Sequence, residues 1–317
     1  MNASLNSAKV RVAGFGVASA IRSAGKLMQP PLSQSFAEAR SSDFLHVLLR
    51  HARYTSGANH YSDDSMQLAD KVAIVTGAAR GLGRAYCEAM AREGASIVAA
   101  DIMSCDDTVA SVTAAGGSAI AVHLDVADAQ SCEAMAIQTI EAYGGIDVLI
   151  NNAALYAGLK GARFEHLDEA QWDRVMQVNI KGTWLTSRAV VTHMRAAGGG
   201  SIINIASLAA VFGLPYGLDY VASKSAVIGM TRGMARELGG DHIRVNAVAP
   251  SAVMTEGTRE FFGEKFDKAK AVIAANQLIP RNLETEDLTG TVIYLASDAS
   301  RFVTGQTHMV DGGSWFL

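Results

Sequence analysis

Thr76-Gly77-Ala78-Ala79-Arg80-Gly81-Leu82-Gly83 stands directly behind the apolar run Val72-Ala73-Ile74-Val75 and directly ahead of a helical pattern, Arg84–Glu93. A buried strand therefore runs into a turn with three glycines and leaves it as a helix. Such a turn lets backbone N–H groups approach a pyrophosphate, whose charge then lies at the positive end of the helix. The spacing is G-x-x-x-G-x-G rather than the commoner G-x-G-x-x-G. On its own the turn would read equally as a tight strand-to-helix connection. The strand before it, the helix after it and an acid one strand later favour a nucleotide site.

Outward from this turn, apolar β-type runs alternate with helical patterns. Strands are expected at Val72–Thr76, Ser96–Ala100, Ala119–His123, Val148–Asn151, Ile202–Ala206, Val245–Ala249 and Thr307–Val310. Helical segments between them include Ala127–Tyr143, Asp168–Ala197 and Asp219–Leu238, and a late one, Phe261–Asn276, is placed to cap a site. Fully apolar strands separated by helices predict one doubly wound α/β Rossmann domain, with a parallel, seven-stranded sheet covered on both faces.

Composition agrees with a globular protein: of 317 residues, 49% are hydrophobic and 18% charged, and the net charge is −4. Without a long basic run, nucleic acid and anionic membrane surfaces are not expected partners. No apolar stretch reaches the ~18–20 residues that cross a bilayer. Cys87, Cys105 and Cys132 lack C-x-x-C spacing, and the eight histidines form no cluster, so buried thiols in a reducing compartment and no metal are expected.

Met1–Ser65 differs from the rest, being rich in Ser, Ala and Arg with no acid before Glu38. It reads as an organelle-type leader, as a secretory signal with Val12–Ala20 as its apolar part, or as an over-long start ahead of a true beginning at Met66. The last reading is preferred. It gives an N-terminal extension over 1–65, a catalytic domain over 66–317 and a cytoplasmic protein; a genuine leader would instead place it in an organelle matrix.

Asp101 ends the second strand eighteen positions after Gly83. A carboxylate there accepts hydrogen bonds from an adenosine ribose 2′-hydroxyl and repels a 2′-phosphate, which favours NAD over NADP. Arg80 is either a partner for such a phosphate or a solvated turn residue. Ile102 follows Asp101, leaving no second basic residue for a clamp. Asp125, in Leu124-Asp125-Val126, and Asn151-Asn152-Ala153-Ala154 close the third and fourth strands at the sheet edge where ligands bind in open α/β folds. Asp125 also reads as a helix N-cap.

Tyr220-Val221-Ala222-Ser223-Lys224 sets a phenol and an ammonium at i and i+4, on one helix face. A cation in reach is expected to lower a tyrosine pKa of about 10 by roughly 1–3 units, toward useful acid–base range. Ser207 ends the fifth strand just upstream at the same sheet edge. Asn179 interrupts an apolar helical stretch (Val175, Met176, Val178, Ile180), as a functional group or a satisfied amide at a helix irregularity.

With these residues in place, the chain from Leu68 to Leu317 resembles the short-chain dehydrogenase/reductase family in its short single-domain form. The resemblance is carried by T-G-x-x-x-G-x-G at Thr76–Gly83, N-N-A at Asn151–Ala153, Asn179, Ser207, Y-x-x-x-K at Tyr220–Lys224 and Asp311-Gly312-Gly313 near the end. It implies Tyr220 as general acid/base, Lys224 as the group that lowers its pKa and binds the nicotinamide ribose, Ser207 orienting the substrate oxygen and Asn179 holding a relay water. It implies an NAD site built from Gly77, Arg80, Gly81, Leu82, Gly83, Asp101, Asp125, Val126, Asn152, Ala153, Tyr220, Lys224, Pro250, Val253 and Thr255. Ser251 and Ala154 depart from the family by standing where it usually has Gly. Assembly as a homotetramer or homodimer through Asp168–Ala197 and Asp219–Leu238 is implied as well.

Leu155, Tyr156, Leu208, Phe212, Tyr216, Met254, Phe261, Phe262 and Leu278 are the expected pocket residues, suited to a small apolar alcohol or ketone. Asn246-Ala247-Val248-Ala249-Pro250-Ser251 is similar to aryl and cyclic secondary alcohol dehydrogenases such as 1-phenylethanol dehydrogenase. Two other readings stand beside this one: an NADPH-dependent carbonyl reductase, for instance of 3-oxoacyl groups, and a nucleotide-binding regulator without catalysis.

Overall fold

A computed structural model describes residues 66–316; the expectations for Met1–Ser65 lie outside the described residues. Seven strands, β1 (Val72–Thr76), β2 (Ser96–Asp101), β3 (Ser118–His123), β4 (Val148–Asn151), β5 (Gly200–Ile205), β6 (Ile243–Pro250) and β7 (Thr307–Val310), form one sheet. Its order is β3-β2-β1-β4-β5-β6-β7, and every neighbouring pair is parallel. The chain leaves β3 at one edge and returns beside β1, so the order reverses between β1 and β4. A crevice opens at the carboxyl ends of strands flanking such a reversal.

Helices α1 (Gly81–Arg92), α2 (Asp106–Ala114), α3 (Ala129–Tyr143), α4 (Glu169–Val175), α5 (Thr183–Ala196), α6 (Ala209–Phe212), α7 (Leu218–Leu238), α8 (Glu256–Phe262), α9 (Phe266–Ala275) and α10 (Glu286–Ala296) surround the sheet. Alternate strand residues feed two cores. Ala73, Val75, Ile97, Val148 and Ile150 pack with Tyr86, Met90, Leu288 and Val292 on one face. Ile74, Val98, Leu149 and Ile202 pack with Met135, Leu185, Val190 and Met194 on the other. Burial on both sides is why these strands are apolar throughout rather than alternating. The doubly wound expectation holds, with helix-forming stretches covering both faces.

Two helix expectations need correction. Asp168–Ala197 is not a single α-helix, because a π-helical segment, Met176–Gly182, separates α4 from α5. Phe261–Asn276 is not one segment either. Gly263, at φ +53°, takes a left-handed conformation that ends α8, and a short 3₁₀ turn leads into α9. Smaller shifts occur at Asp125. It lies beyond β3 and accepts the Ala127 N–H at 2.9 Å, while the N-cap of α3 is Asp128. Among the described residues, no helix is long and apolar enough to cross a membrane.

Candidate active site

The glycine turn has the backbone its sequence requires. Gly77 and Gly81 adopt φ of +66° and +56°, and a Cβ on Gly83 would stand 2.0 Å from the Gly77 carbonyl oxygen. The third glycine thus lets α1 start hard against the end of β1. Helix α1 begins without a side-chain cap and without an acid in its first turn, leaving its leading N–H groups for an anion.

Two neighbours brace this turn. Asp101 accepts the N–H of Ala79 and of Met103, each at 3.0 Å. Asn152 donates both hydrogens of its amide, to the carbonyls of Thr76 (2.9 Å) and Gly77 (3.1 Å). The Thr76 hydroxyl accepts from the N–H groups of Asn152 and Ala153. The Asn152 amide therefore spends its donors on shaping the turn. The Val126 side chain is buried and faces Gly182 in the π segment.

Helix α7 carries Tyr220, Ser223 and Lys224. Tyr220 and Ser207 line the same cavity, and the Ser207 hydroxyl favours the ionised phenol. Burial pushes the phenol above its ordinary value, more than the Ser207 hydroxyl brings it down. The expected lowering by Lys224 is thus not what the protein alone produces. The lysine is buried too, which brings its own pKa down to about 8, and its ammonium donates to the Ile205 carbonyl at 2.7 Å. It stands 5.9 Å from the centre of the Tyr220 ring.

Asn179 lies within the π segment, and its side chain is fully engaged. Its Oδ1 accepts the Leu155 N–H at 2.8 Å, and its Nδ2 donates to the Leu155 carbonyl at 3.2 Å and the Ser223 hydroxyl at 3.0 Å. The amide clips the loop after β4 to α7. Asp219, read only as a helix start, is a buried carboxylate that accepts from the Tyr220 N–H and from Gln171, each at 2.8 Å. An acid at the first turn of a helix resembles any ordinary capping residue, so its burial left no mark in the sequence.

A cavity of about 290 Å³ opens over Ser207, Tyr220 and Lys224. Leu82, Asn152, Pro250, Val253 and Thr255 also line it, and so do Tyr156, Leu208, Phe212, Phe261 and Phe262. Tyr156 stacks on Phe261 (centroids 4.7 Å apart, planes 15°) and lies 5.2 Å from the Tyr220 ring. Leu155, Met254, Tyr216 and Leu278 are not among its walls. The Leu155 peptide is held by Asn179, and Met254 is tied by its N–H to Leu283. Tyr216 belongs to a separate surface groove, and Leu278 is exposed beside Gly313. Ser251 contributes a hydroxyl that accepts a long, 3.4 Å bond from Gln277.

Helix α8 closes one side of the cavity. Thr255 caps it, its hydroxyl accepting the Thr258 N–H at 3.3 Å. From its exposed face Glu260 meets Arg80 of the glycine turn in a two-pronged ion pair of 2.5 and 3.1 Å. Arg80 and Glu260 are 180 positions apart, and nothing in the local sequence of either announces the contact.

A glycine-rich turn, a Ser–Tyr–Lys cluster and a shared sheet edge coincide with a family match: the family described as Enoyl-(Acyl carrier protein) reductase matches residues 77–314. The chain belongs to the short-chain dehydrogenase/reductase family. It is an oxidoreductase of the alcohol/ketone type that works with a nicotinamide cofactor. Among similar members, an uncharacterized oxidoreductase of Mycobacterium tuberculosis is 45% identical over 247 residues, covering 77% of this chain and 96% of its own. Galactitol 2-dehydrogenase of Agrobacterium fabrum is 39% identical over 258 residues, covering 79% and 99%. A solved short-chain structure, a candidate NAD(P) dependent gluconate 5-dehydrogenase from Beutenbergia cavernae with NADP bound at low occupancy, is 37% identical. It superimposes with a TM-score of 0.73 over 78% of this chain and 98% of that one.

Proposed function

We propose that this short-chain dehydrogenase/reductase is NAD-dependent and oxidises a hydrophobic, aryl or cyclic, secondary alcohol to its ketone, with Tyr220 as the general acid/base. The observation that carries the reading is the placement of Ser207, Tyr220 and Lys224 on one apolar cavity walled by Tyr156 and Phe261. A cavity of about 290 Å³ suits a small ligand.

The residues present fit the cofactor. The close packing at Gly83 and the uncapped start of α1 suit a pyrophosphate; Asp101 suits a ribose 2′-hydroxyl, and Lys224, Val253 and Thr255 line the cavity at the reactive end. When bound, the nicotinamide accepts the hydride that leaves the alcohol carbon, or returns it to the ketone. The chain does the rest. Ser207 and Tyr220 hold the substrate oxygen between two hydroxyl groups. The Tyr220 phenolate takes the hydroxyl proton in oxidation, and the phenol gives it back in reduction. The Lys224 ammonium, protonated below pH about 8, favours the phenolate across the 5.9 Å to its ring. Aromatic walls keep water away and strengthen both contacts.

A second reading, an NADPH-dependent carbonyl reductase of the 3-oxoacyl type, has two observations in its favour: Arg80 stands in the glycine turn, and a 37% identical neighbour holds NADP at low occupancy. NAD⁺ and NADP⁺ reduction by the full chain over aryl, cyclic and aliphatic secondary alcohols separates the two. Turnover with NAD⁺ and an aryl or cyclic alcohol supports the first reading. Ketone reduction with NADPH alone, without NAD⁺ activity, supports the second.

The same reading takes residues 66–317 as the catalytic domain. Assembly as a homotetramer or homodimer runs through α4–α5 and α7, and the three buried free thiols suit a reducing cytoplasm.

A further inference from the structure

Arg80 is the cation of the glycine turn best placed to receive an adenosine 2′-phosphate, and it is already occupied. Both terminal nitrogens of its guanidinium face Glu260, at 2.5 and 3.1 Å, and a second lid carboxylate, Glu256, stands 3.8 Å away. Glu256 and Glu260 are i and i+4 on α8, so both present to the same side. Asp101 accepts the Ala79 N–H next to Arg80 and adds its charge to the surroundings of the guanidinium. The nearby Arg84 is committed elsewhere, to the Ala79 carbonyl (2.8 Å), the Thr108 hydroxyl (3.1 Å) and Asp107 (3.6 Å). One guanidinium therefore faces three carboxylates, and an incoming phosphate dianion meets net negative charge.

We propose that Glu260 is a cofactor-specificity residue: by holding Arg80 in a two-pronged ion pair from the lid, it withdraws the cation that a 2′-phosphate needs, so NADP is refused by the lid as well as by Asp101. The inference rests on the NAD reading above and extends it to a helix that belongs to the substrate side of the cleft. The pair is roughly half exposed, where single ion pairs contribute little to stability, so its effect falls on ligand choice rather than on folding. Its bidentate geometry is the form of carboxylate–guanidinium contact that holds best.

The test is calorimetric titration of NAD⁺ and NADP⁺ into the full chain and its variants. Glu260→Gln is expected to tighten NADP⁺ binding by about tenfold while NAD⁺ changes by less than about threefold. Glu256→Gln, which removes the more distant carboxylate, is expected to give a smaller gain. Adding Arg80→Gln to Glu260→Gln is expected to abolish the gain, because the freed guanidinium is its source. A gain that survives in the double variant overturns the role of Arg80. If Asp101→Ser improves NADP⁺ binding and Glu260→Gln does not, the proposal is wrong while the NAD reading stands. If the unaltered chain binds NADP⁺ as tightly as NAD⁺, the NAD reading fails and the proposal falls with it.

Discussion

The ammonium of Lys224 donates to the carbonyl of Ile205, the last residue of β5, at 2.7 Å. This contact ties the Tyr220–Lys224 face of α7 to the sheet edge that also carries Ser207. It fixes a buried charge 5.9 Å from the Tyr220 ring without bonding the two together. The same burial that sets Lys224 beside Tyr220 weakens the lysine's hold on its own proton.

That trade has a measurable sign. The Lys224 pKa is about 8 in the folded chain against 10.5 for a free lysine. Below pH 8 both folded and unfolded chains carry the proton, and the burial penalty is constant. Between pH 8 and 10.5 the unfolded chain binds more protons, so stability rises with pH. Relative to Lys224→Met, the unaltered protein should gain up to about 3 kcal/mol across this window. Urea unfolding of both proteins at pH 7 and near pH 10 tests it; a difference that does not change with pH would mean that Lys224 does not titrate there.

Tyr220→Phe should reduce turnover by roughly 10³-fold or more while dinucleotide binding stays within about threefold. The phenol is pushed above its ordinary value by burial, and oxidation needs the phenolate. The oxidation rate should therefore keep rising through pH 9, whereas ketone reduction, which uses the protonated phenol, should stay level over the same range. Full turnover in the Phe variant would remove Tyr220 from the mechanism.

Ser207→Ala removes the hydroxyl that favours the ionised phenol. The rising limb of oxidation should move to higher pH, and kcat should drop by about 10²-fold, as when one positioned donor is lost. An unshifted pH profile would show that Ser207 touches only the substrate.

Phe261→Ala takes away the ring stacked on Tyr156 at 4.7 Å. An aromatic pair contributes about 0.5–1.5 kcal/mol beyond its area, so KM for aryl alcohols should rise roughly three- to tenfold. Aliphatic alcohols should be affected less. Equal losses for both classes would argue that the stack holds the lid and not the substrate.

Gly83→Ala places a Cβ 2.0 Å from the Gly77 carbonyl oxygen, a backbone atom that cannot rotate away. Loss of dinucleotide binding together with a lowered melting temperature is expected. Binding preserved at full strength would show that α1 can retreat from β1.

Much of this was legible because short-range physics decides it. Val72–Thr76 is buried on both faces, so its apolar run reads as a central strand without further context. Gly77 and Gly83 are demanded by a local turn. Asn179 was legible as a misfit among Val175, Met176, Val178 and Ile180, but not its partners, since the Leu155 peptide and Ser223 reach it only through the tertiary fold. Gln171 and Asp219 meet across 48 positions, from segments that look like ordinary polar helix surface, and Arg80 of the glycine turn meets Glu260 across 180. Burial raises the Tyr220 phenol despite a lysine four positions on, because spacing gives proximity, whereas the balance of charge and burial depends on everything packed around the pair.

The left-handed break at Gly263 leaves α8 as a seven-residue lever between that glycine and its Thr255 cap. Two consecutive residues of this lever hold opposite banks of the cleft, Glu260 on the glycine turn and Phe261 on Tyr156. A single swing of α8 would unfasten both at once. Departure of the oxidised product and of the spent cofactor would then share one exit, and the slowest event of the catalytic cycle could be the parting of a lid rather than the breaking of a carbon–hydrogen bond.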